Sequence, residues 1–230
     1  MFHKGIPAVL VLLLGAVTVA AASSSDAVAP TTVPSPLAPA PRAAAQRHFV
    51  LAPTGNEARY RVREQLAGVD FPNDAVGVTS GMTGAITVDS AGRIVAGESK
   101  FVVDVTKLKS DRDRRDGYVQ RRTLETEKFP TVELVPTSVR GLPASLPASG
   151  TATFDLVGNL TVRGVTRPTT WRVSAKFGAA GISGTASTGF TFEDFEMAKP
   201  RVASVLSVAD SIHLEYDFKL IPAPGTSKGS

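Results

Sequence analysis

Between Thr151 and Phe177 apolar and polar residues alternate almost without interruption. Phe154, Leu156, Leu160 and Val162 share one side of the first run. In the second, Trp171, Val173, Ala175 and Phe177 alternate with Thr170, Arg172, Ser174 and Lys176. Successive side chains of a strand point to opposite faces, so this period of two predicts strands with one buried face each. The link runs from Gly158 to Pro168. Gly164 can take backbone angles closed to other residues, and Pro168 withholds an N–H just before pairing resumes at Thr169. The stretch therefore predicts an antiparallel hairpin.

The same alternation recurs along the chain. Ala58, Tyr60 and Val62 face away from Arg59, Arg61 and Arg63. Residues 81–105 read as a hairpin, with Met82, Gly84, Ile86 and Val88 before a turn at Asp89-Ser90-Ala91-Gly92 and Ser99, Phe101, Val103 and Val105 after it. Val132 and Leu134 follow Phe129-Pro130, with a proline-bearing loop through Pro147. Ala186, Thr188, Phe190 and Phe192 are in phase, and Ile212, Leu214, Tyr216, Phe218 and Leu220 form the clearest strand. About eight strands result. An open sheet of that size exposes edges and closure removes them. About eight strands enclose an interior that side chains fill or that holds one ligand. The pattern alone leaves a barrel and a two-sheet sandwich equally open.

One segment breaks the pattern. Ser110 followed by Asp113 fits a helix start with an acid three residues on, and Gly117 weakens any helix beyond it. Residues 110–127 predict one or two helical turns across the mouth or side of the sheet, packed through Tyr118 and Leu124. Lys107 to Lys128 holds eight basic and five acidic residues. That mixture reads as a solvated face in which acids neutralise arginines. The sharper alternative is a cationic rim for a lipid phosphate or an anionic membrane.

The termini narrow the domain. Residues 1–22 read as a secretory signal: His3 and Lys4, an apolar run from Ile6 to Ala20, and small residues at Ala20-Ala21-Ala22. The run is shorter than the roughly 20 residues of a membrane span, so cleavage is preferred to a signal-anchor, and the remainder is expected to be exported, periplasmic or extracellular. Residues 23–47, rich in Ala and Pro, read as a disordered linker. Residues 48–221 then form one β domain and 222–230 a flexible tail. The chain has no cysteine, which excludes disulfide staples, an acylated cysteine and thiolate chemistry. A net charge of +4 is too small to predict nucleic-acid binding.

Catalytic chemistry is sparse. Of His3, His48 and His213, none is spaced with another for a metal, and His213 falls on the polar face of the last strand. No Gly-x-Ser-x-Gly elbow occurs. The glycines at 77, 81 and 84, and at 181, 184 and 189, lack the spacing or lysine of a phosphate loop and read as turns and bulges. Asn159-Leu160-Thr161 is a glycosylation sequon by letter. These readings predict a protein without catalytic residues, metal or cofactor.

The run Gly158-x-Leu160-Thr161-x-x-Gly164-Val165-Thr166-x-Pro168, followed by an alternating strand, resembles the YceI family of bacterial lipid-binding proteins. Further landmarks fall in order from Tyr60 to Leu220: Gly84-Ala85-Ile86 before Asp89, Val103-Asp104-Val105 leading to Leu108, Arg114-Arg115-Asp116, Phe129-Pro130 and Asp194-Phe195. Three departures stand out. Phe192 occupies the place where many members carry Arg, and Glu196 replaces the glycine of Asp-Phe-Gly. The histidine that many relatives carry after the equivalent of Val76 is also missing. The resemblance implies an all-β, antiparallel, lipocalin-like barrel of about eight strands whose interior holds an isoprenoid or quinone-like chain.

On that reading the ligand contacts are the inward residues Tyr60, Val62, Ile86, Phe101, Val103, Leu134, Phe154, Leu156, Trp171, Val173, Phe190, Leu214, Tyr216 and Phe218. The partner is an apolar lipid, met by transient membrane contact; no nucleic acid is expected, and the sequence sets no oligomeric state. The rivals are a cell-surface interaction module with a filled core and an enzyme acting on a lipid.

Overall fold

The last strand organises the sheet because it is long enough to pair with three others. In the computed structural model, which describes residues 46–95, 97–143 and 145–224, it runs as β10 from Val205 to Pro222. The other strands are β1 (Arg47–Leu51), β2 (Glu57–Leu66), β3 (Asn73–Thr79), β4 (Met82–Val88), β5 (Lys100–Asp104), β6 (Thr131–Arg140), β7 (Gly150–Val162), β8 (Val165–Gly178) and β9 (Gly181–Thr191). The expected signal, most of the linker and the end of the tail lie outside the described residues.

Every pairing is antiparallel. β10 meets β9 along one edge; along the other it meets β2, with Asp217 opposite Glu57, and then β1, with Leu220 opposite Leu51. β1 and β2 are thus two halves of one bent strand. The bend is held by Asn56, whose amide donates to Ala52 O at 2.6 Å and accepts from Lys219 N at 2.8 Å. β3 leads into β4 through Ser80-Gly81 in the same way. Ten strands therefore occupy eight places in a ring, β1-β4-β5-β6-β7-β8-β9-β10 and back to β1. This is an all-β, lipocalin-like barrel with one short helix, and the sandwich alternative falls because β1 joins β4 to β10.

The end of the barrel carrying Leu66, Asn73 and Val205 is called the upper end, and the end carrying Val88 and Pro222 the lower. At the upper end β2 and β3 flare away from β5. The gap is crossed by a 3-10 turn at Val105–Lys107, the helix α1 (Asp113–Tyr118) and a π-helical turn at Val119–Thr123.

Several local expectations change. Pairing does not pause at Pro168: β8 starts at Val165, opposite Val162, around a two-residue turn in which Arg163 and Gly164 both have positive φ, 51° and 77°. That geometry matches the twist of the hairpin. Ladder pairs alternate between bonded and non-bonded from the turn, so the N of Pro168 faces away from β7. On that side pairing with β9 begins only at Arg172, and no partner is deprived. Ser110 is not the helix cap; Arg112 is, without a side-chain bond. Asp116, not Asp113, reaches back, accepting from Ser110 N at 2.8 Å and Oγ at 2.7 Å. Phe192 falls just past β9 and caps a 3-10 turn, and Val105 likewise leaves the strand.

Candidate functional site

The interior is not evenly filled. In the lower half, Trp171 is fully buried and Phe49, Phe177 and Val173 nearly so. They leave a residual space of about 110 Å³. In the upper half, under the helical crossing, lies a cavity of about 920 Å³. Ligand sites for small organic molecules span roughly 300–1,000 Å³, whereas even benzene needs a cavity of about 150 Å³. Of these two spaces among the described residues, the upper one has the size of a guest site.

All fourteen side chains expected to point inward do so. Tyr60, Val62, Val103, Phe190 and Leu214 line the upper cavity; Ile86, Phe101, Leu134, Phe154, Leu156, Trp171, Val173 and Phe218 line the lower space; Tyr216 lines both. Tyr216 therefore stands in the wall between them, tilted against Trp171 at 5.2 Å between ring centroids. Trp171 is fixed in turn by its Nε1, which donates to Thr169 Oγ1 at 3.0 Å, and that hydroxyl donates to Gly158 O at 3.2 Å. Tyr60 lies over Gly77, its neighbour in register; a Cβ there would come within 2.2 Å of the ring. The missing side chain at Gly77 is what lets Tyr60 fold down over β3.

Tyr118 and Leu124, the expected packing points of the helical crossing, also line the cavity. The rest of the upper wall was not legible beforehand: Val119 comes from the helical crossing, and Phe192, Met197 and Val202 from the segment between β9 and β10. Phe192 is buried there, an apolar side chain where the resemblance led one to expect arginine. The turn survives the second departure too. Glu196 takes the left-handed conformation, φ 54°, that a glycine would adopt without strain. Phe195, fully buried, packs edge-on against Phe190 at 4.6 Å.

A largely buried ion pair enters the cavity wall. Glu64, 7% exposed, accepts from Arg115 Nη2 at 2.6 Å, and the same guanidinium pairs with Asp111. The charged segment is thus not simply a solvated face: Arg115 is turned inward as an anchor for the helical crossing. Burial works against its charge, but the hydrogen bonds it donates to the two carboxylates, and their charges, outweigh it and hold its pKa above the ordinary value. Burial pushes the Tyr60 phenol up to about 12, Arg115 pulling it down and Asp116, Glu64 and Asp111 pushing it further up. The Tyr216 phenol is raised by burial alone. Neither hydroxyl has a hydrogen-bond partner among the described residues.

Apart from Val162, which lines the cavity, the central sequence signature acts from outside it as a brace. Arg163 pairs with Glu125 at the end of the helical crossing and donates to Glu196 O at 3.3 Å. Arg167 Nε donates to Asp194 O at 3.0 Å. The Asp194 carboxylate accepts from Thr191 N and Oγ1 at 2.7 and 2.9 Å, and these bonds lower its pKa. The β7–β8 turn thereby ties both segments that wall the upper cavity. Of the histidines, His48 Nδ1 meets Thr87 Oγ1 at 2.6 Å, and His213 is exposed.

A family model described as the YceI-like domain matches residues 49–220. A polyisoprenoid-binding domain from Saccharophagus degradans, implicated in plant cell wall breakdown, superposes with a TM-score of 0.59 at 12% identity, covering 79% of this chain and 100% of that one. BcnA of Burkholderia cenocepacia superposes with a TM-score of 0.53 at 15% identity, over 71% of this chain and 94% of its own. At these identities the two structures establish a shared fold. A comparison with curated proteins gave no match.

Proposed function

Since the chain belongs to the family of YceI-like domains, we propose that it is an exported carrier or store that holds one long apolar chain, of isoprenoid or quinone type, in the upper half of its barrel. The observation that carries this reading is the cavity of about 920 Å³ walled largely by apolar side chains. The description of the Saccharophagus degradans domain as polyisoprenoid-binding supports the ligand class. Tyr60, Val62, Val103, Phe190, Leu214 and Tyr216 are the side chains assigned to the guest; those around the lower space set the floor.

Magnitude favours carriage over permanent capture. Burying one methylene contributes about 0.8 kcal/mol, so about ten give roughly 8 kcal/mol before ordering costs. A bilayer offers the same gain, so exchange between membrane and barrel runs close to neutral. Selectivity then falls to polar contacts, for which the Tyr60, Tyr216 and Thr123 hydroxyls are free donors in the wall and Arg114, Arg121 and Arg122 free cations at its rim.

The test is organic extraction of protein purified from an exporting host, followed by mass spectrometry. A lipid with a long apolar chain at near-stoichiometric amount supports the carrier. Lipid consumed and converted during incubation would make it an enzyme. Extracts without lipid would leave a surface interaction module in its place.

A further inference from the structure

Among the described residues the large apolar side chains left exposed are Phe71 at 79%, Leu206 at 68%, Val69 at 42% and Val202 at 40%. They come from two adjacent segments. The β2–β3 tip carries Val69 and Phe71, and the entry to β10 carries Val202 and Leu206. Ala67 N donates to Ser204 O at 3.0 Å, and Leu66 is opposite Val205 in register. Leu66, Val202 and Val205 also line the upper cavity. The exposed apolar residues thus rim the space assigned to the guest.

Cations surround the same opening. Arg112, Arg114, Arg121 and Arg122 are exposed and line the cavity from the helical crossing, and Arg201 is exposed between Pro200 and Val202. Arg114, Arg121, Arg122 and Arg201 have no carboxylate partner among the described residues. Of the nearby acids, Asp111 is engaged by Arg112 and Arg115, Asp113 and Asp116 by Lys109, and Asp74 by Arg61 and Arg63; Asp70 is the acid of the tip itself. Apolar tips set in a ring of uncompensated cations match the layering of an anionic bilayer, with headgroup charge outside and hydrocarbon beneath.

We propose that the upper end is a docking surface for an anionic lipid bilayer, with Phe71 and Leu206 entering the interface and Arg114, Arg121, Arg122 and Arg201 meeting lipid phosphates. The proposal rests on the carrier reading, since it places the mouth of the cavity against the membrane with which an apolar chain is exchanged.

Because the chain has no cysteine, single labels can report depth position by position. Asp70→Cys carries an environment-sensitive dye at the tip, and Ser90→Cys carries it in the exposed turn after β4 at the lower end. The expected result is a blue shift at position 70, and none at position 90, when the full chain meets phosphatidylcholine vesicles containing phosphatidylglycerol. Pure phosphatidylcholine should give a weaker shift. Neutralising Arg114, Arg121 and Arg122 to Gln should raise the half-saturating lipid by about fivefold per arginine. No shift at position 70, an equal shift at position 90, or indifference to phosphatidylglycerol would overturn the proposal. A blue shift without lipid that grows with protein concentration would assign the surface to a second copy instead. Lipid extraction from the same preparations reads the carrier hypothesis separately, so either can fail alone.

Discussion

Trp171 and Tyr216 meet with their ring centroids 5.2 Å apart and their planes tilted by 53°, and this contact divides the barrel interior. Below it the side chains close on one another; above it they do not. Trp171 is fully buried and both supports Tyr216 and fills the lower half. Trp171→Ala is expected to destabilise the fold by about 3–5 kcal/mol through the cavity it leaves. Urea denaturation of the variant against the parent checks this, and a loss below about 1 kcal/mol would mean that the lower half collapses to refill the space.

Most of the barrel could be read from alternation because period two is a direct consequence of strand geometry with one face buried. The fourteen inward residues obey it. What alternation cannot carry is size. Whether Phe190 or Phe154 meets a partner across the axis or faces open space depends on shear and flare, which arise from the bend at Asn56 and the parting of β3 from β5. The short β1 was missed because five residues give too few alternations and Pro53 and Gly55 follow. Arg115 was misread as solvated because local charge balance conceals that one guanidinium reaches Glu64, 51 residues away. The Gly158–Pro168 signature was recognised correctly as a hairpin, but its role as a brace depends on Glu125 and the 194–196 turn, contacts that sequence spacing does not encode.

The Glu64–Arg115 pair sets up a second prediction. Both side chains are largely buried, 8% and 12% exposed; removing Arg115 leaves Glu64 charged without a partner, and removing Glu64 leaves Arg115 only the exposed Asp111. Glu64→Leu and Arg115→Met are each expected to cost about 3–5 kcal/mol, whereas the double variant should recover much of the loss. A double-mutant cycle in urea measures the coupling. Additive losses would show that the pair does not hold the helical crossing to β2.

Alkaline pH tests the buried phenols. An unfolded tyrosine ionises near pH 10, while Tyr60 is pushed up to about 12 and Tyr216 is raised as well. Below about pH 10 both states keep the proton and the contribution to stability is fully present. As pH rises through that value the unfolded chain ionises first. Each tyrosine then removes about 1.4 kcal/mol per pH unit until its folded pKa is reached. Stability measured from pH 9 upward should therefore fall, and Tyr60→Phe should flatten the fall by one tyrosine's share. An unchanged slope would place the Tyr60 hydroxyl in water rather than in the cavity wall.

The decisive contrast uses two alanines that flank Tyr216 in register, Ala58 on β2 and Ala186 on β9. Ala58 lines the upper cavity and Ala186 the lower space. An indole placed at Ala58 has room, so Ala58→Trp should leave stability within about 1 kcal/mol of the parent or raise it, as cavity filling commonly does. It should also lower the lipid recovered on extraction, because the new ring occupies the guest's volume. The same indole at Ala186 exceeds a space of about 110 Å³, too small even for benzene. Ala186→Trp should therefore overpack the floor and cost about 1–3 kcal/mol, with lipid content per folded molecule unchanged. If both variants destabilise alike, the upper half is as full as the lower and there is no room for a passenger. If Ala58→Trp is tolerated and lipid is retained undiminished, the passenger lies elsewhere. Only tolerance together with lost lipid agrees with a chain held between β2, the helical crossing and β10.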